Sequence, residues 1–304
     1  MAEATLLRGF EPHFAEIGGV RTRYFVGGEG PPLIVIHGLG GAAVNFTLLA
    51  PLLARKRRVL LVDLPGHARS HPFRAVDTLT DYADHVAAVA EREEMLLADV
   101  LGYSMGGVIA LRFAVTRPEA TRALVLVAAA GIVSRTRRAE IWFRLTSTIQ
   151  PARRLSRHRR LIARRPRLRY VPFGLWGASH PPSLSAEAVH GFLEGASQHM
   201  DAHSAGRALL RDDPRPDLDR VRCPVLLLWG ARDRLVPLED GFEYARRLRA
   251  PIRTLPAAGH LVVGERPEEV AQLVEEFLDR VGQVDELPLE PELLGELRRE
   301  RPDA

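Results

Sequence analysis

The chain is 304 residues long, 46% hydrophobic, and carries a formal net charge of +4. That length suits one large α/β domain with an insertion, and no apolar run approaches the ~20 residues of a membrane-spanning helix, which argues against a transmembrane channel or carrier. A single cysteine, Cys223, excludes intrachain disulfides and cysteine-rich metal clusters, and its setting VRCPVLLLWG is that of a small core residue. Along the chain, HFAEIGG and VRTRYFVGG are spaced as an antiparallel hairpin turning at Gly18-Gly19. LIVIH (33–37) is a buried parallel strand, FTLLAPLLARK a helix, and RVLLVDLPG (58–66) the next buried strand. A helix near 79–93 leads to the strand LLADVLG, and ALVLVAAAG (123–131) is a further strand. The rhythm then breaks: residues 132–216 are rich in Arg and Pro, helix-prone, and lack a good buried strand. VLLLWG (225–230) and IRTLP (252–256) restore it. Alternating strands and helices predict βαβ units around a mostly parallel sheet. Residues 1–131 and 217–304 are therefore read as one discontinuous core, with 132–216 as a helical cap over the sheet edge where open α/β folds bind ligands.

Between two apolar runs stands GYSMG (102–106). The pattern G-x-S-x-G between a buried strand and a helix describes a nucleophile elbow. Its sharp turn exposes the hydroxyl of Ser104, its glycines avoid collisions, and the helix N-terminus aims N–H groups at the oxygen. A serine hydroxyl is a poor nucleophile near neutral pH, so a base must take its proton and a third group must hold that base. Asp233, just after VLLLWG, and His260, just after IRTLP, fall at the same sheet edge in the order Ser, Asp, His. HGLGG (37–41) follows LIVIH and would bring the backbone N–H of Leu39 toward Ser104; with the N–H of Met105 it would form an oxyanion hole. His37 reads as a loop-ordering hydrogen bonder, and Asp63 and His67 of DLPGHARS as groups that pin a turn. His13, His158, His180, His190, His199 and His203 have no strand-end setting and read as solvated or packing residues. The sequence has no G-x-x-x-x-G-K-[ST] phosphate loop, no dinucleotide fingerprint and no metal-ligand spacing, so no cofactor and no metal is expected.

IHGLGG, DLPGHARS, GYSMGG, WGARDRLVP and AAGH, in that order between about Val20 and Leu278, resemble the motifs of the α/β-hydrolase superfamily, specifically its cap-bearing serine hydrolases. The resemblance implies an α/β-hydrolase fold, a mostly parallel eight-stranded sheet flanked by helices with a helical cap after the sixth strand. It implies a catalytic triad of Ser104, Asp233 and His260. One departure is Ala68, where many members carry glycine. Haloalkane dehalogenases and epoxide hydrolases resemble the chain but use aspartate at the position of Ser104. Carbon–carbon bond hydrolases typically show asparagine where Tyr103 stands and tryptophan near Leu261-Val262-Val263, and the menaquinone-pathway synthase has a substrate-binding arginine where Val108 stands. The implied activity is cleavage of carboxylic esters of small or medium hydrophobic substrates through an acyl-enzyme. The alternatives are a carbon–carbon hydrolase or lyase using the same triad, and a non-enzymatic small-molecule receptor.

Substrate choice would fall to the insertion. Trp142, Phe143, Leu145 and Ile149 are spaced along one helical face, and Phe173, Leu175, Trp176, Phe192 and Met200 add apolar surface. A greasy acyl or aromatic pocket follows, with packing of the cap on itself as the alternative for each. Residues 132–170 hold thirteen Arg and one Glu, whereas 265–304 hold thirteen acidic residues and five Arg. Three explanations stand: attraction of anionic substrates or lipid surfaces, docking of the acidic tail within a monomer or across a homodimer, or a solvated basic face. No nucleic-acid partner is expected. MAEATLLRGFEPHF lacks a basic n-region and a long apolar h-region, so a cytoplasmic protein without a secretory signal is expected.

Overall fold

The unbroken apolar runs become the central strands. In a computed structural model that describes residues 7–75, 78–95, 97–132, 151–174 and 177–286, the hairpin Phe10–Ile17 (β1) and Val20–Gly27 (β2) precedes Pro32–Ile36 (β3), Arg58–Val62 (β4), Ala98–Tyr103 (β5) and Thr121–Val127 (β6). Val225–Gly230 (β7) and Ile252–Leu255 (β8) complete one eight-stranded sheet of order β1-β2-β4-β3-β5-β6-β7-β8. β2 runs antiparallel to β1 and to β4; the other pairs are parallel. Strands covered on both faces have no solvent side to alternate toward, which is why β5 and β7 are buried at every position. Gly18 and Gly19 make the hairpin turn with φ of 56° and 78°, a pair of left-handed residues suited to a two-residue connection.

FTLLAPLLARK departs from the single helix its pattern predicts. Its first residue, Phe46, closes a 3-10 turn that begins at Ala43, and only Ala50–Leu53 (α1) within it forms a one-turn helix. Pro51 has no N–H to donate and is tolerated only in the first turn, so the helix starts there and ends where the chain turns to β4. Leu79–Arg92 (α2) starts at Thr78, whose hydroxyl accepts the N–H of Asp81 while Asp81 accepts that of Thr78, a reciprocal cap. Met105–Thr116 (α3) is buried from Met105 through Val115, as a helix wedged between the sheet and its neighbours must be.

Between β6 and β7 the described chain is helical: Pro151–Ser156 (α4), Arg159–Arg164 (α5), Tyr170–Phe173 (α6), Ala186–Ser197 (α7) and Ala202–Arg211 (α8). Ile162, Phe173, Leu184, Val189 and Leu193 form an apolar cluster of their own, against which Leu48 and Leu261 pack. Ala205, Ala208 and Leu209 of α8 join the large core instead. α7 sits close on the loop after β3: a Cβ on Gly191 would fall 2.3 Å from the carbonyl oxygen of Val44, and Asn45 donates to the Gly191 carbonyl at 3.2 Å. Of the expected pocket residues, Phe173 and Phe192 pack edge to face with centroids 6.2 Å apart, and Met200 is exposed. Trp142, Phe143, Leu145, Ile149, Leu175 and Trp176 lie outside the described residues. Leu238–Leu248 (α9), Val262–Glu265 (α10) and Pro267–Glu286 (α11) finish the fold. Glu275 and Asp279 of α11 pair with Arg57 and Lys56 of the core, so this part of the acidic carboxyl-terminal stretch is held by the sheet domain. No described helix is long and apolar enough to cross a membrane.

Candidate active site

Parallel strands deliver their following loops to one edge, and the candidate residues come from those loops. Ser104 lies between the last residue of β5 and the first of α3. Its backbone sits at φ 57° and ψ −120°, a conformation that costs free energy for any residue with a Cβ and is held by its surroundings. The surroundings are the glycines. A Cβ on Gly102 would come 2.2 Å from the carbonyl oxygen of Gly106, and one on Gly106 would come 2.3 Å from that of Ile36. Helix α3 therefore starts in direct contact with the sheet, and the serine is forced up at the turn.

The side chains named from the sequence meet there. Nε2 of His260 stands 3.1 Å from Oγ of Ser104, across 156 residues of chain, and Nδ1 of His260 stands 2.8 Å from Oδ2 of Asp233. Oδ1 of Asp233 accepts the N–H groups of Leu235 and Val236, each at 2.8 Å. A carboxylate only accepts, so the network assigns the imidazole proton to Nδ1 and turns the Nε2 lone pair toward the serine hydroxyl. His260 and Asp233 are buried while Ser104 is half-buried, leaving the hydroxyl reachable.

The HGLGG loop passes beside that hydroxyl. A Cβ on Gly38 would lie 2.9 Å from Cβ and 3.4 Å from Oγ of Ser104, so only glycine fits. Among the described residues the N–H groups of Leu39 and Met105 donate to no other protein group. Met105 opens α3, where backbone N–H groups lack intrahelical partners and favour negative charge.

His37 is fully buried. Its Nε2 accepts the N–H of Leu64 at 3.0 Å, and its Nδ1–H donates to the carbonyl of Gly38 at 2.8 Å. Burial pushes its pKa down to about 3, so it ties two loops together as a neutral ring. Asp63 accepts the N–H of Ala43 at 2.8 Å and Nε of buried Arg23 at 2.5 Å. His67, also buried and also pushed down by burial, donates Nδ1–H to the carbonyl of Pro65 at 3.2 Å. Burial raises the thiol of Cys223 to about 11, away from thiolate chemistry.

Three residues hold the site in roles the sequence reading did not assign them, among them His199, which was read there as solvated or packing and instead bridges two loops. Tyr103 donates its hydroxyl to the backbone carbonyl of His260 at 3.0 Å. Glu265 of α10 accepts the N–H of Gly259, beside His260, and that of Ser179 in the inter-strand insertion, both at 2.7 Å. His199, at the end of α7, accepts the N–H of Ala68 at 3.1 Å and donates to the carbonyl of Gly40 at 2.7 Å. Each joins elements far apart in the chain, and no local pattern marks it. Among the described residues no group of three or more His, Cys, Asp or Glu side chains is placed to hold a metal ion.

A serine elbow on the fifth strand of this sheet, faced by a buried histidine and aspartate, defines a class of enzymes built on one scaffold. The chain belongs to the alpha/beta hydrolase family, whose model matches residues 33–273. It is similar to the dihydrolipoyllysine-residue acetyltransferase component of the acetoin cleaving system of Pseudomonas putida, with 31% identity over 276 residues covering 89% of this chain and 70% of the relative. It is similar to the 2-hydroxymuconate semialdehyde hydrolase of Pseudomonas sp. (strain CF600), with 30% identity over 271 residues covering 86% of this chain and 91% of the relative. A third relative is the pimeloyl-[acyl-carrier protein] methyl ester esterase of Chromobacterium violaceum, 29% identical over 257 residues covering 83% of this chain and 96% of the relative.

Proposed function

We propose that the chain hydrolyses carboxylic esters of small or medium hydrophobic substrates, with Ser104 as nucleophile, His260 as base and Asp233 as the group that orients it. The observation that carries this reading is the Ser104–His260–Asp233 chain of contacts at 3.1 and 2.8 Å on a strained elbow. Ser104 Oγ attacks the ester carbonyl as its proton passes to Nε2 of His260, and Asp233 stabilises the imidazolium formed. The N–H groups of Leu39 and Met105 receive the oxyanion. His260 then protonates the leaving alcohol, and a water deprotonated by the same ring releases the carboxylic acid and restores the serine. Residues 132–216 act as the cap. Phe192 packs against Gly264 and Leu261 packs into the insertion's apolar cluster, so apolar surface reaches the His260 loop and favours a hydrophobic substrate group. The named methyl ester esterase among the relatives supports ester chemistry. With a single cysteine and thus no intrachain disulfide, the chain suits the cytoplasm, and the proposal places it there.

The 2-hydroxymuconate semialdehyde hydrolase relative favours a second reading, cleavage of a carbon–carbon bond by the same three residues. A fluorophosphonate probe and a panel of p-nitrophenyl esters of rising chain length separate the two. Wild type is expected to label stoichiometrically and turn over esters, whereas Ser104→Ala is expected to lose labelling and about a thousandfold or more in kcat. Labelling that persists in Ser104→Ala overturns the nucleophile; labelling of wild type without ester turnover shifts the reading to carbon–carbon cleavage.

A further inference from the structure

The insertion between β6 and β7 carries a surface that the ester reading leaves unused. Nine large hydrophobic residues are exposed among the described residues, and four of them, Leu161, Leu168, Tyr170 and Val171, fall within α5, α6 and the turn between them. Arg160, Arg164, Arg165 and Arg167 are interleaved with them and exposed, and no ion pair among the described residues engages any of the four. Leu161, Arg165, Pro166, Arg167 and Leu168 line one open groove of about 600 Å³, so two of the apolar and two of the cationic groups share a face, with exposed Tyr170 and Val171 following directly at the start of α6.

That face is rigidly presented. Buried Arg169 donates to the carbonyls of Ala163 at 2.6 Å and Pro182 at 2.7 Å, and also to that of Leu184, which locks the turn between α5 and α6 onto the layer beneath. Ile162 and Ala163, on the other side of α5, pack into the insertion's cluster. An isolated basic strip would be a solvated face. An isolated apolar strip would bury itself.

We propose that this face docks on an anionic lipid bilayer, with the guanidinium groups at the headgroups and Leu161, Leu168 and Val171 entering the acyl boundary around Tyr170. Charge complementarity selects the partner: Arg160, Arg164, Arg165 and Arg167 are exposed here, and the sequence from 151 to 173 contains no acidic residue; basic residues with aliphatic neighbours on one face are what a charged membrane surface rewards. A nucleic acid would pair with the arginines but leave three aliphatic side chains facing phosphates. The inference stands whether the enzyme cleaves esters or carbon–carbon bonds.

Vesicle sedimentation with the full chain tests it, using phosphatidylcholine alone and phosphatidylcholine mixed with phosphatidylglycerol. Binding is expected only to the mixed vesicles and is expected to fall steeply as salt rises, since exposed charges are screened over ~8 Å at physiological ionic strength. Arg164→Glu with Arg167→Glu should weaken it roughly tenfold or more. Leu168→Ser with Val171→Ser should weaken it at unchanged salt, and both variants should keep the wild-type unfolding midpoint. Equal binding to neutral vesicles, no binding, or binding untouched by both double variants overturns the proposal. So does salt-sensitive self-association without lipid that Arg164→Glu with Arg167→Glu abolishes, or duplex DNA binding that survives Leu168→Ser with Val171→Ser while vesicle binding is absent.

Discussion

Ser104 and Ala68 are two of the residues with a Cβ that sit in left-handed backbone, and they tolerate it for different reasons. Ser104, at φ 57°, is forced there by the contact of Gly106 with β3. Ala68, at φ 46°, stands where many relatives by resemblance carry glycine, and its N–H is held by His199. The left-handed conformation costs an alanine roughly 1–2 kcal/mol. Glycine would remove that cost but lose about 0.5–1 kcal/mol through its freer unfolded chain and about 0.8 kcal/mol by deleting a buried methyl. The terms nearly cancel. Ala68→Gly is therefore expected to change stability by less than about 1 kcal/mol, whereas Ala68→Val, with a β-branched side chain at positive φ, should lose about 2 kcal/mol or more. Urea unfolding of the two variants checks this, and a stabilisation well beyond 1 kcal/mol in the glycine variant would show that the alanine is more strained than its contacts imply.

At the scale of elements, the question is what keeps the His260 loop in register with Ser104. The one-turn helix α10 ends in Glu265, whose two oxygens accept one N–H from the histidine loop and one from the inter-strand insertion. Burial raises its pKa above the ordinary carboxylate value and the charge of Asp233 adds to this, while the backbone N–H groups of Gly259, Ser179 and His180 pull the other way. Because its pKa is raised, Glu265 takes up a proton at higher pH than an ordinary glutamate as the solution is acidified. One oxygen then becomes a hydroxyl facing an N–H donor, and the clamp loosens on that side. Glu265→Gln fixes the loosened arrangement at every pH. That variant is expected to lower kcat/KM roughly tenfold at neutral pH through misplacement of the imidazole and to lack the acidic limb that Glu265 contributes to the wild-type profile. Identical acidic limbs in the two proteins would reduce Glu265 to a packing residue.

For the whole molecule, acidification works against buried histidines that the fold holds neutral. His37 is held down to about 3, His85 to about 4, and His67 well below its ordinary value, in each case chiefly by burial. His85 donates Nε2–H to Thr22 Oγ1, whose own proton goes to the Val20 carbonyl. Bases with depressed folded-state pKa values contribute stability that is present above the ordinary histidine value near 6.5 and is lost as pH falls toward the folded values. Each withheld proton costs up to about 1.4 kcal/mol per pH unit, so three together approach 4 kcal/mol per unit. Glu265 and Glu275, raised by burial, work in the opposite direction at lower pH. The histidines outnumber them and act first. Urea midpoints measured from about pH 7.5 to about pH 5 should fall steeply below the histidine range, and His85→Gln, which can keep a donor toward Thr22, should flatten the slope by about a third. A slope unchanged in that variant would place the acid sensitivity elsewhere.

The eight strands, their mostly parallel arrangement and the trio Ser104, Asp233 and His260 were legible in the residues because each is a local signal. Doubly covered strands read as continuous Val, Leu and Ile, and the GYSMGG, WGARD and AAGH turns follow strand ends within a few residues. FTLLAPLLARK misled because helical periodicity does not report where a proline must begin a turn. Tertiary structure alone decided the contacts that hold the trio in place. Glu265 meets Ser179 across 86 residues, Tyr103 meets the His260 carbonyl across 157, and His199 meets Gly40 across 159. No period or motif names these pairings, even for Tyr103 inside GYSMG; they became partners only when the sheet brought its loop ends to one edge. The same holds for the exposed face of α5 and α6. The count of arginines was visible in the chain, but that four apolar side chains stand among them, on the outer side of a packed layer, depends on which face of each helix the core had already claimed.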